Sequence, residues 1–535
     1  MKKNLFTKAV SLSLAAIVSM SVLAACGSST PESGSETASA GEAGADASTA
    51  PEATDETLKV MVASEPQSLT SLTGLNDQVA VELQYAMAAR VWEFNNETYE
   101  LEMSLATGWE EIDETHYRIE LRDDAKFMDG TPVTSEDVVY CYQAYCEAGL
   151  DGSATIDPEG FVIEDDTHFI IAFSTYTPGW YNALAEATFG IYSKAFIEEN
   201  GGVAEFERVQ PMTAGRYFVN EWKPGEYLLL ERNDNYWDPE YVGYYKYIQV
   251  SWTSDSASRI LAVKSGDVDV TEKISVSEAI TLDADPSATP VYFESGTVFN
   301  FYFNCSSDGP VGNEKVREAL MYAINSEEIN ALVNMGRGKA VQGLYPDNGV
   351  YYKEYYPGGI HPYDEAKAKE LLAEAGYPDG FTIEAVVLKN NIQPATAIQE
   401  MFRKVGVEMN ITSLEPASYL PEARAGNYDT TIGSATNTYL KPDNFNLLSC
   451  EDRFSVIGGP KISDPAIDEI TGRAKSSDPA VAEQGWYDAI DYIFDHTALV
   501  GLYNKIECAA INPALDGLKT IKRDYLDFTE IRPIQ

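Results

Sequence analysis

The stretch Leu105–Tyr145 constrains the chain more than any other. Tyr117, Ile119 and Leu121 alternate with His116, Arg118, Glu120 and Arg122, the period-two pattern of a strand with one buried face. Asp123-Asp124 and Asp129-Gly130-Thr131-Pro132 are turn-forming residues. Thr134-Ser135-Glu136-Asp137 has the spacing of a capping box, which predicts a helix opening there. Val138, Tyr142 and Tyr145 then share one helical face, and Gly149 stands where the helix should stop. Strand, turn and capped helix in succession predict an α/β chain.

With 535 residues, the chain is long enough for two or three domains, and 44% hydrophobic and 11% aromatic residues place it among globular proteins. Its formal charge of -46 argues against nucleic acid or an anionic lipid surface as a partner. The same charge says little about a ligand, because a solvated acidic surface accounts for it. Met1–Ala25 reads as an export leader: a basic start, an apolar run diluted by serines, small residues at the end. Leu23-Ala24-Ala25-Cys26-Gly27 resembles a bacterial lipobox, which implies acylation of Cys26 and a membrane anchor. Gly27–Thr57 contains only Gly, Ala, Ser, Thr, Pro, Asp and Glu, so 26–57 is expected to be a disordered acidic linker. Such a linker reaches roughly 30 Å, enough to hold a globule off a membrane.

Further along, Leu58–Ala63 alternates as a strand, and Val79, Leu83, Met87 and Val91 recur at helical spacing. Thr167–Phe173 makes another strand, and Trp180, Tyr181 and Phe189 read as core. Tyr217, Val219 and Glu221 alternate before the turn Lys223-Pro224-Gly225-Glu226, predicting a hairpin. Phe299–Asn304 reads as extended. Asn313, Asn325 and Asp364 sit as helix caps, and Glu365–Lys369 is spaced for an i,i+4 ion pair. Pro394–Val405 is amphipathic, and Val407, Met409 and Ile411 form the following strand. No internal repeat is present. Apart from Cys26 the cysteines number five (Cys141, Cys146, Cys305, Cys450 and Cys508), without a C-x-x-C; Cys141 and Cys146 read as small hydrophobes, and a Cys305–Cys450 bridge is one option for an exported chain.

Four segments carry a resemblance: LRDDAKFMDGTPVTSEDV (121–138), TAGRYFVNEWKPGEYLLLERNDNYW (213–237), ILAVKSGDVDV (260–270) and YDEAKAKELLAEAGYPDGF (363–381). With Phe299–Asn304 they are similar, in the same order, to the family 5 extracellular solute-binding proteins of ABC importers, the peptide- and nickel-binding group. The resemblance covers nearly all of 58–535. It implies an α/β fold of periplasmic-binding-protein type, a two-lobed type II clamshell with an extra subdomain in a discontinuous first lobe. The expected plan is a leader at 1–25, a linker at 26–57, lobe I at 58–296 with a subdomain inserted at about 77–200, lobe II at 297–497, and a return to lobe I at 498–535. It further implies a monomer, lipid-anchored through Cys26 on the outer face of the cytoplasmic membrane, working with ABC permease and ATPase subunits.

Enzyme motifs are absent: there is no G-x-S-x-G, H-E-x-x-H or P-loop, and His116, His168, His361 and His496 are isolated from one another and from the cysteines. No catalysis, cofactor or metal site is read. In the family's peptide binders an aspartate in a lobe II segment pairs with the peptide's α-ammonium. Here the matching segment, Ile432–Phe445, places Asn437 or Thr438 at that position and Ser434 where a tryptophan is usual. By position in family-like segments, the expected cleft residues are Glu65, Tyr302, Asn304, Gly433, Ser434, Thr436, Asn437 and Tyr439. Oligopeptide or dipeptide is the first substrate reading. An oligosaccharide or other neutral solute is the second, since Asn, Ser, Thr and Tyr suit hydroxyls; nickel or a metallophore is the third. A surface adhesin or signalling receptor would share the anchor.

Overall fold

The computed structural model describes residues 54–534 apart from 96–100, 151, 177–178, 207–208, 239–242, 345–346, 348–351, 437–460, 463, 475, 477 and 522–524. The leader, the lipobox cysteine Cys26 and most of the acidic linker therefore lie outside the described residues. In chain order the main strands are β1 (Thr54–Val62), β2 (Trp92–Phe94), β3 (Leu101–Met103), β4 (Ala106–Asp113), β5 (His116–Leu121), β6 (Val162–Asp165), β7 (His168–Ala172) and β8 (Tyr217–Lys223). They continue as β9 (Tyr227–Arg232), β10 (Tyr245–Trp252), β11 (Val270–Thr271), β12 (Thr289–Phe303), β13 (Phe381–Leu388), β14 (Val407–Leu414), β15 (Thr430–Thr436) and β16 (Leu499–Ile511).

One ten-stranded sheet runs through the molecule in the order β14-β13-β15-β12-β16-β11-β1-β10-β9-β8. Lobe I holds β11, β1 and β10, mutually parallel around β1, with the antiparallel hairpin β8–β9 at the edge. Lobe II holds β13, parallel to both β14 and β15. Among the described residues only the strands β12 and β16 belong to both halves. They run antiparallel, with 289–294 of β12 in lobe I and 298–302 in lobe II. Their register breaks between Glu294 and Val298 and again between Phe299 and Asn300, bulges that let the sheet bend where it passes from one lobe to the other.

Each lobe has its own core. Leu58, Val60, Leu83, Met87, Leu228 and Val250 pack under the lobe I sheet. Phe301, Leu320, Leu372, Ile383, Ile398 and Phe402 fill lobe II. A third core, with Ile119, Tyr142, Tyr145, Phe169, Trp180 and Phe189, belongs to the subdomain built on the antiparallel sheet β4-β5-β7-β6. There the expected capping box forms: Thr134 accepts from Asp137 N, Asp137 Oδ2 accepts from Thr134 N at 2.9 Å, and helix Ser135–Ala148 ends on Gly149 at φ 65°.

Three local expectations change. β1 starts at Thr54, ahead of the predicted Leu58, because its backbone pairs with β10 from Thr54 onward and Thr54 N donates to Tyr244 O at 2.9 Å. The helix of Val79, Leu83 and Met87 stops at Met87, since Ala88 is extended, and Val91 is buried beyond it. Glu365 pairs across to Lys404 at 3.6 Å rather than along its own helix to Lys369. Cys141 is a buried free thiol, as expected of a small hydrophobe. Cys305 is also free, and Cys450 lies outside the described residues.

Candidate functional site

Strand direction locates the site. β11 runs Val270 to Thr271 against Ile511 to Ala510, so β1, β10 and β11 all point their C-terminal ends toward the bulged crossing of β12 and β16. β15 ends at Thr436 opposite Thr297, so β13, β14 and β15 point their C-terminal ends at the same crossing from the other side. Ligands of open α/β sheets bind beyond the carboxyl ends of the strands. Here two such sets of ends face one another across a hinge, and the space between them is the interlobe cleft.

On the lobe I side the strand ends are held by Arg259, a buried residue of helix Ser256–Ser265. Its guanidinium donates to Thr253 O at 2.7 Å, Thr271 Oγ1 at 3.2 Å, Glu272 O at 3.3 Å and Lys273 O at 3.0 Å, tying the exit of β10 to the exit of β11. Burial pulls its pKa down. Glu272, wholly buried, accepts from the backbone N of Ala63, the first residue after β1, at 3.2 Å. Two residues on, Glu65 accepts from Gly225 N at 3.0 and 3.2 Å. Gly225 adopts φ 79° in the turn between β8 and β9, a backbone conformation that favours glycine. Beside that turn Lys223 Nζ donates to Tyr227 Oη, which donates to Glu221, each at 2.7 Å.

A second buried arginine braces lobe II at the start of β16, away from the crossing. Arg317 on helix Glu314–Ala323 is buried and donates to Val311 O, Gly312 O and twice to His496 O, at 2.8 to 3.2 Å. Asn391 Nδ2 donates to Ile432 O at 3.1 Å, bracing β15 beside the cleft. At the crossing itself Gly501 has no room for a side chain: a Cβ there would stand 2.1 Å from Gly343 N. A cavity of about 410 Å³ opens on the lobe II flank of the crossing, lined among others by Glu327, Asn330, Lys339, Gln342, Asp347 and Tyr352. Its Lys339 is bound by Glu294 at 2.9 Å and Asp347 at 3.0 Å.

The residues expected in the cleft divide into four groups. Glu65 lies at the lobe I rim, with its carboxylate engaged by the hairpin turn. Tyr302 and Asn304 are turned inward. Tyr302 is 2% exposed, burial pushes its phenol pKa up, and its Oη accepts from Asn300 Nδ2 at 3.2 Å. Asn304 donates to Gly426 O at 3.1 Å and Tyr428 O at 2.8 Å, bonds that shape the loop before β15. Gly433 and Ser434 sit on β15 opposite Asn300 and Phe299, and the backbone of Thr436 ends that strand at the hinge. Asn437 and Tyr439 lie outside the described residues. The structure thus sets Glu65 against the β8–β9 turn of lobe I and the end of β15 at the crossing, with Tyr302 and Asn304 in the packing of lobe II. Sequence reasoning missed Arg259, Arg317 and Glu272; each is a charged residue whose burial depends on backbone groups that only the folded chain gathers around it.

Three histidines, His116, His168 and His496, bond to a neighbour within four residues, whereas His361 Nδ1 is buried without a hydrogen-bond partner. His116 and His168 bond to Asp113 and Asp165 in two similar turns, at 2.9 and 2.8 Å, and these bonds hold both aspartates low, at about 2. His361 is packed against the Tyr322 and Tyr356 rings, and burial lowers its pKa to about 4. Among the described residues no group of three His, Cys, Asp or Glu is placed to hold a metal ion, and no helix is long and apolar enough to cross a membrane.

The profile of the bacterial extracellular solute-binding proteins, family 5 Middle, matches residues 100–453. The periplasmic murein peptide-binding protein MppA of Escherichia coli (strain K12) is 26% identical over 79% of this chain and 83% of its own length. The probable D,D-dipeptide-binding periplasmic protein DdpA of the same strain is 24% identical over 78% of this chain and 82% of its own length. The structure of HbpA2 from Haemophilus parasuis superimposes with a TM-score of 0.79 at 21% identity, covering 90% of this chain and all (100%) of that one.

Proposed function

The chain belongs to the bacterial extracellular solute-binding proteins of family 5, and from that premise we propose that its solute is a short peptide, captured between the lobes and handed to an ABC permease. The observation that carries the proposal is the span of the likeness to two relatives named for peptide ligands, about four-fifths of the chain in each case. The geometry supports it: two sets of strand ends point toward the bulged crossing of β12 and β16 from opposite sides. Within this reading Glu65, Gly433, Ser434, Thr436, Asn437 and Tyr439 border the ligand. Tyr302 and Asn304 act from behind, by fixing β12 and the approach to β15. Cys26 carries the lipid that holds the receptor at the outer face of the membrane, and the protein works as a monomer.

The lack of an acid at the two positions matched to the family's aspartate, Asn437 and Thr438, sets the character of the site. A buried α-ammonium without a carboxylate partner costs several kcal/mol, and an amide replaces little of that. The peptide is therefore held mainly through its backbone and side chains. Native mass spectrometry of the soluble chain from Glu52, purified without unfolding, tests the proposal. Co-purifying masses that resolve into short peptides support it; a single sugar or metallophore mass would replace it with one of the other solute classes.

A further inference from the structure

Beneath the cleft rim of lobe I the buried Glu272 shares its surroundings with a second buried carboxyl, that of Glu82. Glu82, on helix Gln78–Met87, is 2% exposed, and Glu272, at the exit of β11, is 0% exposed. Both oxygens of Glu82 and Oε2 of Glu272 are buried without a hydrogen-bond donor of good geometry. The two side chains line one crevice with Gln78, Lys273, Glu507 and Cys508. Sharing that dry crevice, the two carboxyls would repel each other if both were ionised, which favours a proton on one of them.

The charged surroundings do not remove that requirement. Lys273 attracts the ionised form, and the Leu526 backbone N–H faces the Glu82 carboxyl. Glu507, on β16, is itself paired with Lys505, and the neighbouring Cys508 thiol is pushed up to about 12 by burial, so it stays neutral. Burial and the Glu272 charge together hold the Glu82 carboxyl well above the usual carboxylate range. Two buried carboxylates side by side would each be charged, desolvated and repelled.

We propose that Glu82 and Glu272 hold one proton between them at neutral pH, and that this shared proton fastens the cleft rim of lobe I to helix Gln78–Met87. The connection is short. The other oxygen of Glu272 receives the Ala63 amide, and two residues later Glu65 receives the Gly225 amide at the hairpin turn. Losing the proton sets two negative charges against each other at the base of this chain of contacts, so the rim loosens. Glu82 and Glu272 are positioning residues, and the proton is their ligand.

Linkage fixes the sign. Above the ordinary carboxylate range the folded protein keeps a proton that the unfolded chain has lost, so stability falls as pH rises and levels off at the raised folded pKa of Glu82. The unfolding constant should rise up to tenfold per pH unit across that window. Glu82→Gln replaces the neutral carboxyl by an amide and should remove this slope. In the same window the Ala63 and Gly225 amides of the wild type should exchange hydrogen faster as pH rises, beyond the intrinsic dependence, while those of Glu82→Gln should not. Infrared spectroscopy of the wild-type protein gives a reading that needs no variant: the carbonyl stretch of an un-ionised carboxyl at pH 7, vanishing in a single alkaline titration. No such band at neutral pH, or one unchanged in both Glu82→Gln and Glu272→Gln, would overturn the proposal. So would identical pH profiles of unfolding in wild type and Glu82→Gln.

Discussion

Arg259→Met separates two accounts of the lobe I strand ends, one in which a buried cation holds them and one in which apolar packing suffices. Methionine keeps an unbranched apolar stem but donates nothing. The guanidinium makes four donated bonds, to three backbone carbonyls and one hydroxyl. At about 1.5–3 kcal/mol for each bond to a charged group, the upper bound is roughly 6–12 kcal/mol. The loss should be smaller, because the change also removes the charge whose burial is unfavourable, and because carbonyls beside a cleft can regain water. Breaking comparable buried charged contacts costs about 3–5 kcal/mol, and that is the expectation here. Urea unfolding followed by circular dichroism and by tryptophan fluorescence measures it; coincident curves justify treating the change as one transition. Arg259→Lys retains charge but lacks the planar fork, so it should recover less than half of the difference. A loss below about 1 kcal/mol for Arg259→Met would refute the reasoning, since a side chain so cheaply removed is not what joins β10 to β11.

Gly501→Ala places a Cβ against the backbone of Gly343 at the crossing, and should cost about 1–3 kcal/mol by overpacking, read as a lower thermal midpoint; an unchanged midpoint would show that the crossing yields freely. His361 is held neutral by burial down to about 4, so the unfolded chain takes up its proton first as acid is added. Its contribution is present above about 6.5 and lost as pH falls toward 4, at about 1.4 kcal/mol per pH unit for one proton. His361→Phe should flatten the acid limb of a stability–pH curve by that slope, and an identical acid limb would refute the assignment. Asn437→Asp should strengthen binding of a free-amine peptide by roughly tenfold or more in titration calorimetry; unchanged affinity would mean that the α-ammonium is held elsewhere.

Much of the fold was legible because its signals are local. The capping box at Thr134, the hairpin around Gly225, and the Asn313, Asn325 and Asp364 caps are satisfied within a few residues, so spacing alone reveals them. The long crossing strand was not. Only Phe299–Asn304 reads as extended, whereas β12 begins at Thr289, and the bulges between 294 and 300 break the alternation that would have announced it. Tyr302 and Asn304 sit in that covered region, where sequence cannot tell a side chain that faces a ligand from one that faces the core. Glu65 illustrates the same limit: its partner Gly225 is 160 residues away, so nothing near it predicts its role as a strut. Arg259 and Arg317 lie on helices where arginine is ordinarily solvated, and only the folded loops whose carbonyls surround them reveal otherwise.

The two crossing strands also impose an order of events on a chain made from its N-terminus. Lobe II is one unbroken run between β12 and β16, and its core draws on residues largely within that run. Lobe I is different: β11 finds its neighbour β16 only through pairs such as Val270 with Ile511. A domain completed by contacts so remote in sequence forms late and slowly. The second lobe can therefore collapse while the first still waits for its closing strand. A chain exported as it is made would arrive outside with its half of the cleft nearest the N-terminus finished last.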